Sequence, residues 1–226
     1  MRNLIAWNRV RGVIFDVDGT LYDQRRLRIM MLLEISKSFF QKRLAIRDIK
    51  IINCFRKNRE SLALKEEINI SSRQLLDVAN ALSIDPNIVA GIIDEWIYQR
   101  PLKYMQVCRF SQVNSFFRAL RIYGIKIGIF SDYPVQEKLS ALELQADAIC
   151  YSLEPGLDKL KPQSIGLQTI VNRLNLDISE CIFIGDRDSR DGECARRLSI
   201  RFILCKGTDF YKKLLLDFED FVKQHK

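Results

Sequence analysis

Two aspartates one residue apart close an apolar run near the N-terminus, in Phe15-Asp16-Val17-Asp18-Gly19-Thr20-Leu21. Residues i and i+2 of an extended chain face the same side, so both carboxylates point at one spot. Such a pair suits a shared cation, or a division of labour in which one acid attacks while the other trades protons. Gly19 lets the chain turn sharply, and the Thr20 hydroxyl can brace the loop. His225 is the only histidine and lies one residue from the C-terminus, which disfavours triads, zinc sites and imidazole acid/base chemistry. Catalysis in this chain must rest on carboxylates, lysines, hydroxyls or a bound metal.

The elements that must position these groups fall into two textures. Short apolar runs ending in polar clusters, over 12–17, 125–130, 148–151, 181–184 and 201–205, read as buried parallel strands. Helical patterns lie between them: 111–123, opened by a capping Ser111 and stopped at Gly124; 135–144; and 162–174, with Pro162 in its first turn. Strict alternation of strand and helix predicts a doubly wound α/β sheet with ligands at the strands' C-terminal ends. The stretch 22–105 breaks the rhythm and carries helical periodicity alone: Leu27, Met31, Ile35 and Phe39 every four residues, Ile46, Ile49 and Ile52 every three, with new segments at Ser71-Ser72 and Asp85-Pro86. The expectation is an α/β core over 1–21 and 106–226, with an all-helical domain inserted over 22–105.

At 226 residues and 47% hydrophobic content, a sizeable core is within reach and wholesale disorder is excluded. Six cysteines without a CxxC pair point to a reduced, cytoplasmic protein, and no run approaches the roughly 18 apolar residues of a membrane span, so no membrane partner is expected. A net charge of +8 favours anionic partners in general. A loose helix-turn-helix pattern over 75–93 follows a basic stretch from Lys37 to Arg59 in which Asp48 is the lone acid. The candidate recognition helix from Pro86 to Tyr98 has Asp94 and Glu95 and no basic residue, the wrong sign for nucleic acid, which is disfavoured as a partner.

The Asp16–Leu21 motif resembles the first motif, DxDGT, of the haloacid dehalogenase-like (HAD) superfamily, and the resemblance extends down the chain. Ser131 in Ile129-Phe130-Ser131-Asp132 matches its second motif, Lys161-Pro162 its third, and Gly185-Asp186 through Asp191 its fourth, all in order. This implies a Rossmann-like core, with Asp16 as nucleophile forming an aspartyl phosphate and Asp18 as general acid and base. The same resemblance implies Mg²⁺ held by Asp16, the backbone carbonyl of Asp18, Asp186 and Asp191, the last in or beside its second shell. Thr20, Ser131, the Asp132 backbone N–H and Lys161 would form the phosphate-binding set. Lys161 is preferred over Lys159 because proline follows it. Asp191 is preferred over Asp188, a loop acid expected to pair with Arg187 and Arg190. The inserted helices resemble the cap of phosphoglycolate phosphatase-like members, which closes over the site and selects small phosphate esters. Arg25, Arg26, Trp96, Tyr98, Arg100 and Tyr104 are the cap residues that could face the site, with interior packing the competing role for Trp96 and Tyr98. Phosphatase is the expected reaction and phosphomutase the alternative. Asp18 argues against a dehalogenase, and none of Lys37, Lys42, Lys50, Lys57, Lys65 and Lys103 stands out as a phosphonatase Schiff-base lysine. Neither the leaving group nor the oligomeric state is readable.

Overall fold

The computed structural model describes residues 5–41, 45–64 and 70–225; Lys42 and Lys65, two of the Schiff-base candidates, lie outside them, as do the side chains of Ser71 and Ser72. Five strands, β1 (Gly12–Phe15), β2 (Lys126–Ser131), β3 (Ala148–Tyr151), β4 (Cys181–Gly185) and β5 (Arg201–Leu204), form one parallel sheet in the order β3-β2-β1-β4-β5. β1 is central and wholly buried, paired with β2 and β4 so that Phe15 lies opposite Ile129 and Ile184. Its alternate residues serve the two faces of the sheet, as the two-residue period requires.

Between β1 and β2 the described chain is helical: α1 (Gln24–Phe40), α2 (Ile46–Leu64), α3 (Ile70–Leu82) and α4 (Pro86–Ile93), which runs on through a π turn and a 3₁₀ stretch to α5 (Met105–Cys108). The Asp23 side chain caps α1 by accepting from the amides of Arg25 and Arg26, and Asp85 caps α4 by accepting from Asn87, so local chemistry starts both helices. Ile51 and Phe55 of α2 pack on Val78 and Ala79 of α3 and on Val89 and Ile93 of α4, so the segment has an apolar centre of its own. Val78, Ala79, Val89 and Ile93 of the helix-turn-helix-like stretch 75–93 lie in this packing. The chain leaves and re-enters the core side by side, with the Asp23 amide on the Cys108 carbonyl at 2.8 Å and the Phe110 amide on the Leu21 carbonyl at 3.2 Å.

The remaining helices flank the sheet: α6 (Val113–Ile122), α7 (Gln136–Ala141), α8 (Ile165–Leu174), α9 (Glu193–Arg197) and α10 (Phe210–Gln224). Val13 and Phe15 join Phe116 and Leu120 of α6 and Tyr211, Leu214 and Phe218 of α10 on one face. Ile14, Phe130 and Phe183 join Leu167, Ile170 and Val171 of α8 with Cys194 and Ala195 of α9 on the other. Two helix starts differ from expectation. Ser111 does not cap α6: its first turn is preceded by Gln112 in a left-handed conformation, with no side-chain cap. Pro162 lies in a turn ahead of α8, which begins only at Ile165, because Lys161 is held by the loop acid Asp132 rather than released into a helix.

Candidate active site

The end of β1 delivers Asp16 to the C-terminal edge of the sheet, its amide bonded to the Ile184 carbonyl at 2.9 Å. The loop then folds back, with the amides of Thr20 and Leu21 both on the Val17 carbonyl. Thr20 is fully buried, and its hydroxyl donates to Asp16 Oδ2 at 3.0 Å, so it braces this carboxylate. Asp16, Asp186 and Asp191 converge, each with a carboxylate oxygen within 4.8 Å of the others. Two glycines permit the convergence. A Cβ on Gly19, at φ 92°, would lie 2.3 Å from Asp186 Oδ2, and one on Gly185 would lie 2.5 Å from the Asp191 Cβ.

Lys161 completes the cluster. Its ammonium is 2.5 Å from Asp16 Oδ1 and 2.7 Å from Asp191 Oδ1, and all three side chains are nearly inaccessible. Burial works against this ammonium, but Asp16 and Asp191 outweigh it and hold its pKa well above the ordinary lysine range. Burial, followed by repulsion from Asp191, pushes Asp186 up to about 6. Three hard carboxylates with one ammonium among them form a donor set suited to a divalent cation that takes oxygen ligands. Lys159 is not in this cluster, its amide bonding instead to the Ser152 carbonyl.

Asp18 occupies a separate environment. Its Oδ1 accepts from the Tyr22 hydroxyl and, at 2.6 Å, from Lys138 Nζ. Burial alone would raise this carboxyl, yet the Lys138 ammonium and the hydrogen bonds from Lys138 and Tyr22 hold it below the ordinary carboxylate range. The sequence reading missed both partners. Lys138 carries a legible signal, a lysine on the apolar stripe Val135, Leu139 and Leu142, where a solvated charge does not belong.

β2 delivers Ser131, fully buried, whose Oγ accepts from the Tyr133 amide at 3.2 Å. Asp132 Oδ1 accepts from Ser152 Oγ at 2.7 Å and from the Lys161 amide at 3.0 Å, so the loop after β2 fixes the lysine's backbone. Above this loop sits α2. Arg59 donates to the Asp132 carbonyl and to Gln74 Oε1, and its guanidinium stacks 4.0 Å from the Tyr133 ring centre. Its neighbour Glu60 accepts from Arg187 at 3.3 Å and from Arg190 at 2.5 Å. This corrects the expected pairing of these arginines with Asp188, which bonds Arg196 instead because the turn after Arg187 aims its side chain along α9. Asp191 Oδ2 accepts from the Arg187 amide at 3.0 Å, fixing its carboxylate in the cluster.

Of the six helical residues proposed to face the site, Tyr98 is the one in ring contact with the loop after β2, 6.3 Å from Tyr133. Trp96 is buried with Arg100 stacked on it; Arg100 and Tyr104 both bond Glu34; Arg25 and Arg26 are exposed.

A family profile described as haloacid dehalogenase-like hydrolase matches residues 13–205, spanning all four motifs. The chain belongs to this family. No curated protein matches it. Solved structures similar to it include a 2-haloacid dehalogenase from Pseudomonas syringae pv. Tomato DC3000, at 17% identity and TM-score 0.62, covering 94% of this chain and 99% of that one. A HAD phosphatase from Thermococcus onnurineus is 16% identical with TM-score 0.60, covering 94% and 98%. A β-phosphoglucomutase from Clostridium difficile is 16% identical with TM-score 0.58, covering 95% and 99%. At these identities the likeness shows the HAD fold, which these three share while being named for different reactions.

Proposed function

We propose that this HAD-family hydrolase is a Mg²⁺-dependent phosphatase acting on a small phosphate monoester through an aspartyl phosphate on Asp16. The observation that carries the reading is the separation of the two β1 carboxylates. Asp16 sits in the Asp186–Asp191–Lys161 cluster, whereas Asp18 stands apart on Tyr22 and Lys138. A carboxylate inside the cation-binding set suits the nucleophile, and a second one outside it, two residues on and hydrogen-bonded to Tyr22 and Lys138, suits a proton-transfer group.

Asp16 Oδ1 or Oδ2 would attack phosphorus, and Thr20 and Lys161 orient that carboxylate. Lys161, the Ser131 hydroxyl and the Asp132 amide would balance charge on the transferring phosphoryl oxygens. Asp18 would protonate the leaving oxygen and then take a proton from the water that cleaves the acyl phosphate. Its ion pair with Lys138 favours the ionised form, the state needed in that second half. Asp16, Asp186, Asp191 and the Asp18 carbonyl would hold Mg²⁺, which supplies charge neutralisation of the phosphoryl group. The segment 22–105 would act as a cap, with Tyr22 on Asp18 and with Arg59, Glu60 and Tyr98 against the loops after β2 and β4, excluding water and admitting small esters rather than macromolecules. A cytoplasmic setting accords with this chemistry.

The test is hydrolysis of a panel of phosphate monoesters with and without Mg²⁺, alongside Asp16→Asn. Turnover that needs Mg²⁺ and vanishes in the variant is expected; full activity in Asp16→Asn would remove the covalent mechanism.

A further inference from the structure

A helix on a protein surface normally turns its large apolar side chains to the core and its polar ones to solvent. α1 departs from this. Leu27 and Met31 are buried, but Ile29, Leu32, Leu33 and Phe40 are 59, 62, 64 and 83% exposed. At the ~100° step of an α-helix, Ile29, Leu33 and Phe40 fall within about 40° of one line, with Leu32 one step to its side. Phe39 borders the strip, and Ile46 at the start of α2 is exposed as well. Isolated exposed leucines are ordinary on a protein surface, whereas an aligned strip of this kind marks a contact site.

The charges around the strip are of one sign. Arg25 and Arg28 flank it on the side of Leu32, Arg26 and Lys37 on the other, and all four are exposed. Glu34 is the one acid of α1, and its carboxylate is taken by Arg100, Lys103 and Tyr104. Among the described residues, α1 therefore presents aliphatic and aromatic side chains framed by cations, with no exposed carboxylate.

This composition selects the occupant. Two copies of α1 facing each other across a two-fold axis would match apolar to apolar but would bring two sets of four cations together with no acid on either helix to answer them. An anionic bilayer answers both features, since apolar side chains enter the headgroup boundary while arginine and lysine reach lipid phosphates, their aliphatic stems lying along the apolar strip. We propose that the outward face of α1 docks on an anionic lipid surface through Ile29, Leu32, Leu33 and Phe40, with Arg25, Arg26, Arg28 and Lys37 contacting headgroup phosphates. No spanning segment is needed, so the sequence expectation of no membrane partner, which rested on the lack of such a segment, does not bear on a surface contact.

The full chain is to be sedimented with vesicles of phosphatidylcholine alone and of equimolar phosphatidylcholine and phosphatidylglycerol, across a salt series. Binding to the mixed vesicles that weakens steeply with salt, and none to phosphatidylcholine alone, is expected. Leu33→Glu should lower the partition coefficient about tenfold or more, and Arg28→Gln about fivefold. Both positions are exposed, so unchanged circular dichroism and Tm should accompany the losses. Failure to bind mixed vesicles overturns the proposal. So does equal binding to neutral vesicles, undiminished binding of both variants, or a lipid-free dimer that Leu33→Glu dissociates.

Discussion

Glu60 on α2 accepts a 2.5 Å hydrogen bond from Arg190, whose guanidinium also lies 3.7 Å from Asp132, so one arginine joins the helical segment to the loops after both β2 and β4. Arg190 is buried and directly precedes Asp191 of the carboxylate cluster. The contact therefore ties α2 to the segment that carries Asp191. Because Glu60 itself is half exposed, its ion pair contributes little stability, under about 1 kcal/mol. Glu60→Ala should leave Tm nearly unchanged while lowering kcat/KM for a phosphate ester several-fold. In a double-mutant cycle with Arg190→Ala the two effects on kcat/KM should be less than additive. Full additivity would dismiss the latch.

Asp18→Asn keeps the backbone carbonyl and the nucleophile but loses proton transfer. Turnover of esters with poor leaving groups should fall by roughly 10²- to 10⁴-fold. Activated aryl phosphates should suffer less in the first step, and the aspartyl phosphate should then accumulate as a burst detectable by rapid quench. Wild-type rates on every ester would remove Asp18 from proton transfer. A long-lived phosphoenzyme in the wild type, with turnover stimulated by a sugar bisphosphate, would identify a mutase instead.

Lys161→Met leaves Asp16, Asp186 and Asp191 crowded without the ammonium that separates them. Removing one partner from a buried ionic set costs about 3–5 kcal/mol, so the metal-free variant should unfold at a clearly lower temperature. A divalent cation can replace the missing charge. Mg²⁺ should therefore raise Tm more in Lys161→Met than in the wild type, measured by calorimetry, without restoring turnover. Equal Mg²⁺ shifts in the two proteins would show that the cation does not take over the charge of Lys161, and no shift in either that the carboxylates do not share a cation.

Glu34 provides a pH signature remote from this cluster. Hydrogen bonds from Lys103 and Tyr104, then the pairing with Lys103 and Arg100, hold its carboxyl down to about 2. A depressed acid adds stability that is present above its unfolded pKa of about 4.3 and disappears as pH falls towards the folded value. Urea unfolding of wild type and Glu34→Gln should differ most at pH 5 and above, with the gap closing between pH 4 and pH 2. A gap independent of pH would mean that packing, not charge, accounts for the contribution of Glu34.

The sheet was legible in the sequence because each strand is a short apolar run, and Gly12–Phe15 and Cys181–Gly185, buried throughout, had little alternative to a parallel core. The convergence of Asp16, Lys161, Asp186 and Asp191 was legible only as motifs in order, since the sheet order that brings residues 16 and 161 within hydrogen-bond distance is a tertiary fact. Tyr22 escaped for a related reason, since a tyrosine after a turn gains meaning only when Asp18 is placed beside it, whereas Lys138 was marked by the apolar stripe it stands on. Arg187 and Arg190 were expected on Asp188, but the acid that takes them comes from α2, more than a hundred residues earlier. Local spacing favoured Asp188, and packing chose Glu60.

The backbone crossing of Leu21–Asp23 with Cys108–Phe110 bears on how this chain tolerates change. Where a long excursion starts and finishes on adjacent hydrogen-bonded residues, the core sees only a closed loop, and each doubling of the length of a flexible loop adds about 0.6 kcal/mol of closure entropy. The helical segment is thus thermodynamically a detour whose size the sheet scarcely registers. Lengthening or trimming it away from the crossing point should alter which molecules are received long before it alters whether the five strands assemble.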